Sequence, residues 1–132
     1  MPNIVNSISA LGNKLLQDNK LSNQLLAEEP ARCAAVIGLA LNHLHLLANV
    51  LTPYMPAKAQ SILRQVGLKP AEGEDLVPVY IPDTWEANTL KAGHTIGTPE
   101  LLFSTIPAAK IEEWRDAFGG EELRKQKALE AE

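Results

Sequence analysis

The chain has 132 residues, of which 45% are apolar, 5% aromatic and 21% charged, and it carries a formal charge of -4. A compact body of this length has a radius near ~14 Å and buries roughly two thirds of its unfolded surface, enough for one modest core and too little for a large two-domain enzyme. The apolar fraction excludes wholesale disorder, and nine prolines against eight glycines without a period exclude a collagen-like chain.

In chain order, Ile4, Ile8, Leu11 and Leu15 recur at steps of four, three and four, with Val5 and Leu16 widening the stripe. That spacing predicts an amphipathic helix over 3–18 with the stripe inward. Gly12 weakens such a helix by roughly 1 kcal/mol relative to alanine, unless a neighbour needs the space. Leu25, Leu26 and Ala27 fit a short helical turn before Pro30. Pro30 suits the first turn of the next helix, where its missing N–H has no intrahelical partner.

That helix is expected to run to about Leu51. Ala35, Gly38, Asn42, His45 and Asn49 share one narrow strip of it, and nearly everything else is Val, Ile, Leu or Ala. A helix apolar around most of its girth needs several packing neighbours, so it reads as a central core element. Its polar interruptions keep it short of the roughly 18 uninterrupted apolar residues of a membrane span. Pro53 and Pro56 end it.

A third core helix is predicted over 57–66, with Ala59, Ile62, Leu63 and Val66 inward and Gly67 closing it in a left-handed conformation. Residues 69–75 read as a polar loop. Residues 76–82 contain Pro78 and Pro82, so they form at best an edge strand or an extended run. Short turns are expected over 85–97. A last core helix, 108–118, sets Ile111, Trp114, Arg115 and Phe118 at helical spacing and stops at Gly119 and Gly120. Residues 121–132 read as a charged, solvated tail with Glu121 and Lys125 at helical pairing distance. The fold class is therefore all-α: an incomplete helical bundle over 1–120, an irregular region after the third of these core helices, and the tail.

Few residues suggest chemistry. Cys33 is the only cysteine, so no internal disulfide or zinc cluster can form, and a reducing, cytoplasmic setting is the simplest reading. The N-terminus lacks the pattern of a secretory or transit peptide. His43 and His45 are two apart and diverge on a helix, so they cannot chelate one ion. His94 lies in Gly93-His94-Thr95-Ile96-Gly97, where an imidazole commonly fixes a turn by bonding a backbone carbonyl. Ser61 and Ser104 lack an elbow motif, and no glycine-rich phosphate loop is present. The twelve lysines and arginines are dispersed and make no basic stripe. A domain can still read an unpaired base by stacking it on a ring. Trp85, after Pro82, Asp83 and Thr84, fits either that role or a ring capping the bundle.

Three stretches tip the reading: Gly12-Asn13-Lys14-Leu15-Leu16-Gln17-Asp18-Asn19-Lys20; Leu46-Leu47-Ala48-Asn49-Val50-Leu51-Thr52-Pro53-Tyr54-Met55-Pro56; and Ala92-Gly93-His94-Thr95-Ile96-Gly97-Thr98-Pro99-Glu100-Leu101-Leu102-Phe103. With Phe118-Gly119-Gly120 they resemble the C-terminal anticodon-binding helical domain of methionyl-tRNA synthetases, closest to the eukaryotic cytosolic kind. The resemblance implies a helical bundle that recognises the CAU anticodon of methionine tRNA, and it implies a base-stacking, RNA-binding role for Trp85. It also implies that an Asn and an Arg on an earlier helix, the family's other main readers, would precede Met1.

The family's catalytic signatures, His-Ile-Gly-His and Lys-Met-Ser-Lys-Ser, do not occur in these 132 residues. Amino-acid activation, with the ATP and methionine that the full-length family uses, is accordingly not expected of this chain, nor is any metal or cofactor. Expected partners are the methionine tRNA anticodon and, for an apolar face left uncovered, a catalytic synthetase domain, a synthetase-complex partner or a second copy. A non-catalytic scaffold that no longer binds RNA is the alternative. No membrane association is expected.

Overall fold

The computed structural model describes residues 2–81, 83–84 and 89–120. Within them lie five helices and no strand: α1 (Pro2–Asp18), α2 (Asn23–Glu28), α3 (Pro30–Leu51), α4 (Pro56–Gln65) and α5 (Ala108–Phe118). The chain divides into two compact units, Met1–Leu102 and Phe103–Glu132.

In the first unit α3 is the hub, and α1, α2 and α4 all pack on it. Its boundaries are written in proline. Pro30 supplies the helical φ at the start, and Pro56 does the same for α4. Between the two helices the last turn of α3 closes through Thr52, whose Oγ1 donates to the Ala48 carbonyl at 3.0 Å. The short α2 is capped by Ser22, whose hydroxyl accepts from the Leu25 N–H at 3.3 Å.

The core joins the second half of α3 to α4 and to the chain that follows. Ala48, Ile62, Leu63, Val66, Val77 and Leu90 are buried together, with Leu41, Leu51, Leu68 and Leu102 packed around them. All four residues expected inward on α4 are buried. Helix α4 ends as expected at Gly67, φ +86°. The Gly67 N–H donates to the Arg64 carbonyl and the Leu68 N–H to the Leu63 carbonyl, both at 3.0 Å, the paired bonds of a Schellman ending.

Helix α1 departs from its expected facing. Ile4 is 55% and Leu11 63% exposed, while Val5, Ile8, Gly12, Leu15 and Leu16 are half-buried. The cause is His43, on α3. Its Nε2–H donates to the Ile8 carbonyl at 2.7 Å, and a Cβ on Gly12 would stand 2.8 Å from two atoms of the ring. Gly12 thus leaves room for the imidazole against α1, and with the helix held there one edge of its apolar stripe faces outward. Helix α3 keeps exposed apolar residues too, Ile37 and Leu44.

In the second unit, α5 has the expected bounds, but none of its residues is buried. Ile111, Trp114 and Phe118, read from spacing as core residues, are exposed, Phe118 by 82%. Helical spacing shows that residues share a face, and among the described residues of this unit no second helix exists to cover that face. Lys110 lies over the Trp114 ring at 5.8 Å. The tail, 121–132, lies outside the described residues.

The Gly12–His43 contact sets a double-mutant cycle. Gly12→Ala should bring no gain in urea-unfolding stability in the native background, because the methyl displaces the ring and its bond to Ile8. In a His43→Ala background the same change should stabilise by about 1 kcal/mol, the ordinary propensity difference.

Candidate nucleic-acid interface

Between Leu68 and Leu102 the described residues lie in no helix or strand, yet Val77 and Leu90 are buried in the core. Buried peptide groups need partners, and among the described residues there is no strand to supply them. The helices supply the partners through side-chain amides. Gln60 on α4 faces Val77: Nε2 donates to its carbonyl at 3.0 Å and Oε1 accepts from its N–H at 2.9 Å. Asn42 on α3 treats Leu90 the same way, with Oδ1 accepting at 2.9 Å and Nδ2 donating at 3.1 Å. Asn49 accepts from the Tyr80 N–H at 3.2 Å. Each amide offers one donor and one acceptor side by side, as a strand's peptide unit does.

The polar strip read on α3 is therefore turned inward. Asn42, His45 and Asn49 are all buried. Contrary to the expectation from its polar interruptions, α3 is long and apolar enough by composition to cross a bilayer, a test that the core helix of a globular protein also meets. The role of these polar groups was not anticipated from the sequence. The available signal was a pair of asparagines seven residues apart on an otherwise apolar helix, followed by an apolar, proline-bearing stretch with no strand to pair with.

Farther along, Gly93-His94-Thr95-Ile96-Gly97 clamps the end of α4. The His94 Nε2–H donates to the Val66 carbonyl at 2.6 Å, so the carbonyl-bonding role expected for His94 holds, with a partner 28 residues away. The Gly97 N–H donates to the Gln65 carbonyl and the Glu100 N–H to Gln65 Oε1, both at 2.9 Å. A Cβ on Gly97 would sit 2.6 Å from the Arg64 carbonyl oxygen, so the close approach needs glycine.

Trp85, the predicted RNA-binding residue, lies outside the described residues. Its described flanks are fixed on both sides: Tyr80 is held by Asn49 and Leu90 by Asn42. Two helical turns separate those asparagines, so the anchors stand on one face of α3 about 10 Å apart. Beside the Leu90 anchor is a cleft of about 570 Å³ walled by Ala34, Gly38, Leu41, Leu90, Lys91 and His94. Lys91 is exposed there.

Other candidate chemistry does not assemble. Among the described residues no group of three or more His, Cys, Asp and Glu could hold a metal. His43 faces Ile8, whereas His45 is bonded to Asn49, as their spacing predicts. Cys33 is a free, buried thiol. The exposed ion pairs Lys14–Asp18 and Arg32–Glu29 are local to their own stretches of chain and form no basic stripe.

A family model described as the anticodon binding domain of methionyl tRNA ligase matches residues 3–123. A probable cytoplasmic methionine–tRNA ligase of Schizosaccharomyces pombe is 45% identical over 113 residues, which is 86% of this chain and 13% of the relative. The cytoplasmic methionine–tRNA ligase of Saccharomyces cerevisiae is 33% identical over 120 residues, 91% of this chain and 15% of that protein. The human cytoplasmic enzyme is 35% identical over 116 residues, 86% of this chain and 12% of its own length. The chain thus spans a small fraction of the curated relatives it matches. No solved structure matches.

Two measurements check the anchors. Asn42→Ala strands the buried N–H and carbonyl of Leu90 and should cost about 3 kcal/mol of unfolding free energy, with faster hydrogen exchange at the Leu90 amide. Burial holds the His45 imidazole below its ordinary pKa, so the unfolded chain takes up this proton before the folded one does. Stability conferred by the neutral ring is complete above about pH 6.5 and is lost as pH falls below it, by at most ~1.4 kcal/mol per pH unit. Urea titrations between pH 7.5 and 5.5 should show this slope in the native chain and a flatter one in His45→Gln.

Proposed function

The chain belongs to the family of anticodon-binding domains of methionyl-tRNA ligases, and from that membership we propose that it binds methionine tRNA at the CAU anticodon without activating an amino acid itself. The observation that carries the proposal is the family match over residues 3–123. In this reading ATP and methionine are handled by the catalytic part of such a ligase, whose signatures are absent from these 132 residues. The setting is cytoplasmic, in keeping with the names of the relatives.

Trp85 stacks an unpaired anticodon base. Support comes from the two asparagine anchors, which fix the chain on either side of this residue to a single helix face. A stacked base is worth about 1 to 3 kcal/mol and needs no phosphate neutralised, which suits an acidic chain with dispersed cations. Lys91, exposed one residue beyond the Leu90 anchor, is the next cation in sequence after Trp85 and in this reading meets a phosphate of the bound RNA.

A second reading, a helical module that docks on protein, rests on the exposed Ile4, Leu11, Ile37 and Leu44. It takes the occupant of that surface to be a catalytic synthetase domain, another synthetase-complex partner or a second copy of the chain.

Titrating a methionine anticodon stem-loop and a control with a permuted anticodon separates these readings. The native chain should prefer CAU, and Trp85→Ala should weaken binding about tenfold or more. Equal affinities of the native and Trp85→Ala chains would dismiss the role of Trp85. No preference for CAU in the native chain would dismiss anticodon recognition and leave the docking reading, for which sedimentation should show self-association or complex formation.

A further inference from the structure

Asn49 sits between a titratable ring and one of the backbone anchors, and its amide can satisfy both in one orientation only. The Tyr80 N–H can donate and never accept, so the atom facing it at 3.2 Å is Oδ1. The amide nitrogen is then committed to the other side, where it donates to the His45 carbonyl and to His45 Nε2, both at 3.0 Å. Nε2 must therefore carry a lone pair. The ring is neutral, with its proton on Nδ1, and it is 7% exposed.

We infer that His45 is a proton-sensitive positioning residue: a proton taken from solvent onto Nε2 turns the Asn49 amide over and deprives the Tyr80 N–H of its acceptor. With Nε2 protonated, two donors confront each other across 3.0 Å unless the amide rotates. Rotation sets Oδ1 against Nε2–H, gives up the bond to the His45 carbonyl and turns the amide nitrogen to the Tyr80 N–H, so the conflict moves to the Tyr80 anchor. The Leu90 anchor has no such relay, because the second bond of Asn42 goes to the Gly38 carbonyl at 2.9 Å. Acidification therefore frees the Tyr80 anchor and leaves the Leu90 anchor held. Its effect on RNA rests on the anticodon-binding function proposed above.

Among the described residues, the ring's proton is governed by solvation. Desolvation by burial is what lowers the affinity of His45 for it. On α3 the neighbouring His43 is turned to Ile8. The segment that reaches Asn49 carries the Tyr80 phenol and Asp83, both exposed. Helix α1 contributes Lys14 and Asp18, paired with each other. Helix α2 carries Glu28, bonded to Gln24, and α4 carries Lys58 and Arg64, the latter donating to the Asp75 carbonyl.

The test follows the chain in solution by ¹⁵N NMR from pH 7.5 to 5.0. Long-range ring spectra should show the Nδ1–H form of His45 at neutral pH. Exchange at the Tyr80 amide, corrected for intrinsic pH dependence, should rise about tenfold relative to Leu90, with the midpoint of His45 protonation; tenfold corresponds to the loss of one ordinary hydrogen bond. His45→Gln, which keeps an acceptor and does not titrate, should hold Tyr80 protected throughout. Asn49→Asp presents an oxygen to each neighbour, so it should keep the Tyr80 anchor with the ring protonated and shift the midpoint upward; it tests the relay even where the glutamine variant fails to fold.

An Nε2–H ring at neutral pH, a Tyr80 amide indifferent to the midpoint, or joint loss of protection at Tyr80 and Leu90 would overturn the inference. Stem-loop affinity should fall below the midpoint in the native chain and not in His45→Gln. Failure to bind the stem-loop at any pH would instead overturn the RNA reading, with the amide titration still deciding the relay.

Discussion

Buried peptide groups must find partners, and here Val77 and Leu90, which belong to no strand, lie in the core. Every feature that positions the candidate interface follows from how that demand is met. Gln60, Asn49 and Asn42 stand in for the missing strand, each matching its amide to a peptide N–H, and two of them to the carbonyl as well. Helix α3 is apolar enough to be a core helix and polar along the one strip where the irregular chain crosses it. The core itself is shared: Val77 and Leu90, the two residues whose N–H and carbonyl are both gripped, are also the two buried members of its cluster that come from beyond Gly67.

Much of the fold was legible because punctuation is local. Pro30 and Pro56 mark helix starts through a fixed φ and Gly67 marks an end by taking a positive one, effects that act within a residue or two, and the helices at 30–51 and 108–118 have the expected bounds. The inward face of α4 was legible too, since a short amphipathic helix has one apolar side. Facing failed where it is set by a contact distant in sequence. The aspect of α1 depends on His43 meeting Ile8 and Gly12, 35 residues apart at the hydrogen bond, and no periodicity within α1 encodes that. For α5, spacing identified a shared face but could not say whether anything covers it.

The candidate interface was legible only through family resemblance, and the division of labour explains why. A residue that stacks on RNA needs few local constraints, so a single tryptophan such as Trp85 carries no sequence pattern of its own. Residues that anchor the chain to the helices are constrained strongly, but by partners dozens of positions away. Even Gly93-His94-Thr95-Ile96-Gly97, which superficially suggests a nucleotide-binding signature, is a clamp on the end of α4: the imidazole holds one helix-terminal carbonyl and Gly97 another. Its specificity as a motif comes from close packing at Gly67 and Gly97.

The reliance on amide side chains also bears on how the molecule ages. Asparagine deamidates when the following backbone nitrogen attacks its side-chain carbon, a closure that helical geometry disfavours and that water access promotes. Asn42 and Asn49 lie inside a helix and away from solvent, so the chain has placed its most consequential amides where this spontaneous chemistry is slowest. A carboxylate at 42 would put an oxygen where Nδ2 now donates to the Leu90 and Gly38 carbonyls, and the damage would spread from one atom to a stretch of the core.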